Sequence, residues 1–118
     1  DIISNSRIKE SLENKKFLKR IFSIEEIENG SKLKNKFMYF SKRFAAKEAF
    51  VKALGTGFRD NINFNSISIL NDKKGKPYLK CEKSLNKKIK VLTKKKKLNV
   101  FLSLADEKDY SLAFVIIQ

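Results

Sequence analysis

The sequence contains no histidine, no tryptophan and a single cysteine, Cys81, and these scarcities exclude several kinds of site. A histidine-containing zinc site and a cysteine–histidine nucleophile pair both need residues that this chain lacks. One cysteine cannot form a disulfide within the chain, so a reducing, cytoplasmic compartment fits best. We therefore expect Cys81, which lies in a strand-like segment, to be a small buried hydrophobic residue.

Glycine and proline are also scarce, at four residues and one, which favours long regular elements with few loops. The sequence has no apolar run approaching the roughly 18 residues of a membrane span, and no signal-peptide pattern. It begins at Asp1 and not at methionine, so we expect that preceding residues, including the start of a leading strand, are missing. At 118 residues, we expect a single domain over residues 1–118.

Basic residues outnumber acidic residues by 27 to 13, which gives a net charge of +14. Such an excess predicts an anionic partner, which could be a nucleic acid, a phosphate-bearing cofactor, a membrane surface or an acidic protein. A lysine-rich surface that contacts only solvent would also explain the charge. The competing functional interpretation is a small basic nucleic-acid-binding module. Phenylalanines stand among the basic residues at the spacing of a core, which argues against a stacking platform for nucleic acid.

The most informative segment is a predicted helix over residues 32–54 that ends at Gly55. At about 100° per residue, one apolar stripe is predicted to face the core, formed by Leu33, Phe37, Phe40, Phe44 and Val51. Glu48 falls within that stripe, where a carboxylate is costly unless it is paired or binds a metal. Lys52 lies one turn later, so an ion pair between the two is the alternative. The acid, the cation and the glycine-rich exit at residues 55–57 together suggest a site for a metal and an anion.

The remaining periodicity predicts an α+β fold in which helices are followed by a mainly antiparallel sheet. Residues 6–22 are predicted to be helical, as is a segment that opens with a capping box at Ser23 and Glu26. Later strands are predicted at about residues 62–70, 77–81, 100–105 and 110–117. The last of these is almost continuously apolar and is expected to be central, and the strand before it to be buried on much of both faces. Residues 84–95 fit either a basic helix or an irregular segment.

Basic residues crowd the first predicted helix, where they include Arg7, Lys15, Lys16 and Arg20. A solvated face would explain them, and a docking surface for an acidic protein or nucleic acid is the sharper interpretation. The run of lysines at 94–97 is better explained as a solvated loop.

Residues 43–49 (RFAAKEA) and 52–57 (KALGTG) resemble the signature of the 4′-phosphopantetheinyl transferases, and most closely that of the short type, the holo-[acyl-carrier-protein] synthases. Asp1-Ile2 is similar to the opening acidic motif of that family, and Arg7-Ile8 to the arginine that follows it. Residues 71–77 resemble the family's turn, and residues 103–117 its closing hairpin. The resemblance covers essentially the whole chain.

The resemblance implies an activity in fatty acid biosynthesis, the transfer of the phosphopantetheine arm of coenzyme A to a serine of apo acyl carrier protein with release of 3′,5′-ADP. It implies that Asp1 and Glu48 hold Mg²⁺, or Mn²⁺ in its place, against the diphosphate of coenzyme A. Glu48, directly or through a water, would take the serine proton, and Lys52 would stabilise charge on the phosphates.

The resemblance also implies partners and assembly. The nucleotide would be framed by Arg43, Phe44, Lys52, Gly55, Gly57, Gly75, Lys76 and Pro77. Because acyl carrier proteins are acidic, the docking face would be formed by Arg7, Lys15, Lys16 and Arg20. The family implies a homotrimer with active sites between subunits, in which one subunit supplies Asp1 and Glu48 and the next supplies further nucleotide contacts.

Overall fold

A computed structural model describes residues 1–55 and 62–118, and over these residues the chain has the predicted α+β fold. The described helices are α1 (Asn5–Ser11), α2 (Lys15–Ile21), α3 (Ile24–Ser31), α4 (Lys36–Leu54) and α5 (Lys83–Thr93). The described strands are β1 (Ile2–Ser4), β2 (Ile67–Asn71), β3 (Pro77–Cys81), β4 (Val100–Asp106) and β5 (Tyr110–Ile117). A short 3₁₀ helix, Phe64–Ser66, precedes β2.

The strands form two antiparallel sheets. β5 is the central strand of the larger sheet, in the order β1-β5-β4, which confirms its predicted position. Ile2 pairs with Leu112 on one side of β5, and Leu102 pairs with Val115 on the other. β2 and β3 form a separate hairpin. β1 precedes the helices, where the leading strand was expected, and α5 lies between β3 and β4.

The three-stranded sheet packs α4 against one face and leaves the other face exposed. The exposed side, here called the outer sheet face, carries the large apolar residues Ile2, Phe101, Leu112, Phe114 and Ile116, which are 44–61% exposed. The prediction that residues 100–105 are buried on both faces is therefore wrong for the single chain. Their side chains alternate with a period of two between the core and the outer sheet face.

Helix α4 is covered on several sides, because it packs against α1, α3, β1, β2, β4 and β5. Of the predicted stripe, Phe40 and Val51 are buried, Phe37 and Phe44 are half-buried, and Leu33 lies before the helix and is 48% exposed. A periodicity rule finds the buried side of a helix only when that helix has one covered face. Lys47, the neighbour of Glu48, is the charged residue of α4 whose side chain is fully buried in the core.

Lys47 forms a buried ion pair with Glu26 of α3, and both side chains are 0% exposed. The ammonium donates to Oε1 of Glu26, to the carbonyl of Ile21 at 2.7 Å and to the carbonyl of Phe64 at 3.0 Å. Burial lowers the pKa of Lys47 to about 8, and the carboxylate of Glu26 opposes that shift. The ammonium therefore remains charged at neutral pH.

Glu26 joins two further elements to this pair. Its Oε1 also accepts from the backbone N–H of Ser23, which completes the predicted capping box, and its Oε2 accepts from the N–H of Ile69 at 3.0 Å. The pair thus connects the end of α2, the start of α3, α4, the 3₁₀ helix and β2. We refer to Glu26, Lys47 and these partners as the buried ion-pair hub.

Two predicted helix boundaries differ from the structure. Residues 6–22 form two helices and not one, because the chain turns between Ser11 and Lys15. The helix predicted from residue 32 begins only at Lys36. Helix α3 ends at Ser31, next to Gly30, where a Cβ would stand 2.5 Å from the ring of Phe40. The ambiguous segment near residue 90 is helix α5. Within the described ranges, no helix is both long and apolar enough to cross a membrane.

Candidate functional site

The backbone of Asp1 continues the pairing of β1 with β5. The N–H of Ala113 donates to the carbonyl of Asp1 at 2.8 Å, and the backbone nitrogen of Asp1 donates to the carbonyl of Ala113. This pairing places Asp1 beside the C-terminal half of α4. There its carboxylate accepts from the ammonium of Lys52 at 2.7 Å. The structure therefore brings together two of the predicted site residues that are 51 positions apart.

Glu48 lies on α4 one turn before Lys52 and is half-buried. The ion pair predicted between these two residues as an alternative is not formed, because Lys52 pairs with Asp1. Among residues 1–55 and 62–118, Glu48 has no hydrogen-bond or ion-pair partner. As far as the described residues go, its carboxylate is available to bind a cation or accept a proton. The prediction that it lies in a core-facing stripe is wrong.

The two carboxylates of Asp1 and Glu48 fit the needs of Mg²⁺. This ion takes oxygen ligands, usually one or two carboxylates, and completes its shell with waters and substrate phosphates. No cluster of three or more metal-ligating side chains occurs in the described part of the chain. The ammonium of Lys52, which pairs with the carboxylate of Asp1, shows that this carboxylate already binds one positive charge.

A second group of predicted site residues lines a cavity of about 460 Å³ between α4, β4 and the β2–β3 turn. This group comprises Arg43, Gly75 and Pro77. The side chain of Arg43 is buried, donates from Nε to the carbonyl of Ile69 at 3.2 Å, and stacks 3.6 Å from the centre of the Tyr39 ring. Burial lowers the pKa of its guanidinium, which nevertheless stays protonated.

The β2–β3 turn is held in place from α4. Arg43 Nη2 donates to the side-chain oxygen of Asn71, and Asn71 Nδ2 donates to the carbonyl of Gly75 at 2.8 Å. Within the turn, Oδ1 of Asp72 accepts from the N–H groups of Lys74 and Lys76. Gly75 has φ of +86°, which L side chains rarely adopt. Arg43 thus positions the turn as well as lining the cavity.

Lys42 is a residue of this cavity that the sequence reasoning missed. Its ammonium pairs with the carboxylate of Asp106 at the end of β4, at 2.8 Å. The sequence indicated Lys42 only through its position next to Arg43. Its partner Asp106 is 64 residues away, and no local pattern connects these two residues. The cavity therefore has two cationic side chains, one of them held at the rim by a carboxylate.

The two groups of site residues lie on opposite sides of α4. Arg43 and Lys52 are nine residues apart, which at about 100° per residue places them about 180° apart around the helix axis. Their contacts agree, since Arg43 reaches β2 and Lys52 reaches the start of β1. One chain therefore presents two separate half-sites, here called the carboxylate half-site (Asp1, Glu48 and Lys52) and the turn half-site (Arg43, Gly75 and Pro77).

The other predicted site residues lie at several further positions. Phe44 does not accompany Arg43 but lines a cavity of about 250 Å³ with Arg7 of α1 and Phe17 of α2. The basic residues predicted to dock a partner are all exposed, and they are Arg7, Lys15, Lys16 and Arg20. Lys76 is exposed on the β2–β3 turn, Gly55 ends α4 with φ of +105°, and Gly57 lies outside the described residues.

A larger cavity, of about 920 Å³, lies elsewhere, between α3, the 3₁₀ helix and β3. Its lining includes Ser23, Glu25 and Lys80 but none of the predicted catalytic residues. Size alone therefore does not locate the chemistry in this chain. The placement of Asp1, Glu48 and Lys52 on one side of α4 is the stronger indication.

Comparisons with known proteins show which family the chain resembles. A sequence model of the 4′-phosphopantetheinyl transferase superfamily matches residues 1–115. A holo-[acyl-carrier-protein] synthase of Pelagibacter ubique is 52% identical over 118 residues, which cover 100% of this chain and 92% of that protein. The crystal structure of the Neisseria meningitidis holo-[acyl-carrier-protein] synthase superposes with a TM-score of 0.87 at 37% identity, covering 100% of this chain and 94% of that one.

A second solved structure is informative because it contains a ligand. It is a holo-(acyl-carrier-protein) synthase of Bacillus anthracis in complex with CoA (3′,5′-ADP). Its TM-score is 0.79 at 33% identity, and the match covers 99% of this chain and 90% of that chain.

Cys81 lies apart from both half-sites, on β3. We expected its side chain to be buried, and it is half-buried. Burial raises the pKa of its thiol from 9.0 to about 11. The folded state thus keeps the thiol protonated, whereas the unfolded chain ionises it near pH 9. Between pH 9 and 11 the unfolded state binds fewer protons, so Cys81 makes the free energy of unfolding fall as the pH rises.

We expect this thiol to react slowly. At pH 8 a pKa near 11 leaves a thiolate fraction about 100-fold below that of an ordinary cysteine, and burial slows access further. The measurement is the rate of iodoacetamide alkylation, followed by intact mass, of the folded chain and of the same chain in urea. Equal rates in the two states would contradict this account, and Cys81→Ser should not be labelled at all.

Proposed function

Since the chain belongs to the 4′-phosphopantetheinyl transferase superfamily, we propose that it transfers the 4′-phosphopantetheine group of coenzyme A to a serine of an apo acyl carrier protein. The products are holo acyl carrier protein and 3′,5′-ADP. The observation that supports this most directly is the carboxylate half-site, in which Lys52 pairs with Asp1 and Glu48 lies one turn before Lys52 on α4. Residues 1–118 would act as a single domain.

The reaction assigns a separate task to each residue of that half-site. The serine hydroxyl attacks the phosphorus that carries the pantetheine arm, and the bond from this phosphorus to the bridging oxygen breaks. The departing 3′,5′-ADP takes the electron pair of that bond. Glu48, which has no partner among the described residues, accepts the serine proton directly or through a water that it orients. Lys52 would neutralise charge on the diphosphate.

Asp1 and Glu48 would hold Mg²⁺, or Mn²⁺ in its place, which when bound supplies positive charge against the diphosphate. In the structure Lys52 occupies the carboxylate of Asp1. When substrate binds, the ammonium of Lys52 would turn from this carboxylate to a phosphate oxygen. Both carboxylates then face outward as oxygen ligands.

The opposite orientation of the two half-sites supports an active site built from two copies of the chain. One chain cannot bring Arg43 and Lys52 to the same ligand, because α4 itself separates them. A neighbouring copy could supply the turn half-site with its cationic cavity, where Lys42 and Arg43 suit the nucleotide phosphates.

The outer sheet face supports the same assembly. Five large apolar side chains are exposed together on adjacent strands, and contiguous apolar surface of this kind typically marks an interface. Self-association would bury both faces of β4 and β5, as their apolar sequences favour. By family, the assembly would be a homotrimer with sites between subunits.

The carrier protein would dock on α1 and α2. The basic side chains there are exposed, and Arg7 also lines the small cavity next to β1, close to the carboxylate half-site. An acidic carrier bound on this surface would bring its serine towards Glu48. The single cysteine favours a reducing compartment, so the reaction would take place in the cytoplasm.

The loading reaction tests the function directly. We expect the chain to add the mass of one phosphopantetheine group to apo acyl carrier protein only when coenzyme A and a divalent cation are present. Glu48→Gln should lower the rate by at least about 1,000-fold, because it removes a metal ligand and the proton acceptor together. Circular dichroism should show an intact fold. Exposed Glu28, replaced by Gln, serves as the control and should load normally. A Glu48→Gln variant that loads the carrier at the wild-type rate would contradict the role proposed for Glu48.

Assembly is tested on the outer sheet face. Phe114→Lys places a charge where 61% of the side chain is exposed, and we expect it to convert the homotrimer into a monomer of 13.7 kDa without loading activity. Val91→Lys, at a 75% exposed position on α5, should remain trimeric and active. Light scattering after gel filtration gives both masses. A monomeric wild-type chain with full activity would overturn the intersubunit site.

Carrier docking is tested by charge reversal. Arg20→Glu should raise KM for the carrier protein by about 5- to 10-fold, because it replaces attraction by repulsion, and leave KM for coenzyme A unchanged. The difference should shrink in high salt. Lys87→Glu, the same change on α5, is the control. An equal rise in KM for both variants would show that only net charge matters and not this face.

A further inference from the structure

The buried ion-pair hub lies directly behind the carboxylate half-site. Lys47, whose ammonium is fixed by Glu26, immediately precedes Glu48 in α4. The three acceptors of that ammonium belong to α2, α3 and the 3₁₀ helix. Glu26 in turn accepts from the N–H of Ile69 in β2, the strand whose carbonyl Arg43 contacts. One hub therefore touches the scaffold of both half-sites.

Stability alone does not account for this pair. Taking two charges out of water is costly, and well-packed apolar residues of similar volume are often as stable or more so. An ion pair differs from an apolar pair in direction, because its hydrogen bonds fix where each group lies. With both side chains 0% exposed, water cannot compete for these bonds.

Fixing Lys47 also fixes the rotation of α4 about its axis. Glu48 then points about 100° away from Lys47, on the side that carries Lys52. A rotation of about 20° would move a carboxylate that lies about 6 Å from the helix axis by about 2 Å. Misplacement of a reacting group by about 1 Å can cost roughly 100-fold in rate. Apolar packing around α4 constrains its rotation less strictly.

We propose that Glu26 is a positioning residue of the reaction, which through Lys47 sets the rotation of α4 and so the placement of Glu48 and Lys52. This inference rests on the proposed function. It adds a residue outside the signature segment, on α3, that touches no reacting group.

The test replaces the pair by apolar residues of similar size, in the double variant Glu26→Met and Lys47→Met. We expect this chain to fold with a thermal midpoint close to that of the wild type. Its kcat for carrier loading should fall roughly 10- to 100-fold, while KM for coenzyme A stays within about threefold. Phe50→Leu, a change at a 1% exposed position of α4, is the control and should lose stability but keep kcat.

A readout without activity separates this proposal from the proposed function. In backbone NMR spectra of the Glu26→Gln variant, in which the sequence of α4 is unchanged, the amide resonances of Glu48 and Lys52 should shift while those of α5 stay in place. A wild-type chain that never loads a carrier would overturn the proposed function, and the amide shifts would still report on the helix. A folded double variant with wild-type kcat would overturn the positioning role.

If the double variant does not fold, Glu26→Gln makes the same comparison. An amide cannot accept from both Lys47 and Ile69 through its two ends, so one bond of the hub must break. The expected result is again a lower kcat with little change in KM. A Glu26→Gln variant with unchanged kcat would refute the proposal.

Discussion

The orientation of α4 is the constraint on which the rest of this structure depends. The helix carries residues of both half-sites on opposite sides, and it is packed on several sides by helices and strands. Apolar packing fixes where the helix lies, and the bond between Lys47 and Glu26 fixes how it is turned. From that single orientation follow the pairing of Lys52 with Asp1, the open position of Glu48 and the anchoring of the β2–β3 turn by Arg43.

Local signals predicted much of this fold. The capping box at Ser23 and Glu26, the positive-φ glycine that ends α4, and the β3 and β5 boundaries follow from chemistry within a few residues. The central position of β5 also follows, because an almost wholly apolar strand needs neighbours on both sides. The motif that begins at residue 43 also predicted that the functional residues lie on the helix that is α4.

Contacts between distant segments could not be predicted in the same way. Glu26 has a local role as a capping residue, and nothing in its surroundings indicates that it also pairs with Lys47, 21 residues later. Because that pair uses the core-facing direction of α4, Glu48 lies beside the core and not in it. Apolar periodicity marked Glu48 as buried, since it cannot register a helix that is covered on several sides. The separation of the site into two halves likewise depends on helix rotation and not on motif spacing.

The most direct test of the account is a crystal structure of the chain with coenzyme A and Mn²⁺, recorded with anomalous scattering. The account predicts an anomalous peak bound by the carboxylates of Asp1 and Glu48 of one subunit, next to the diphosphate. It also predicts that Arg43 and the β2–β3 turn of a neighbouring subunit face the nucleotide. A peak elsewhere, with Glu48 directed into solvent or paired with a lysine, would contradict it.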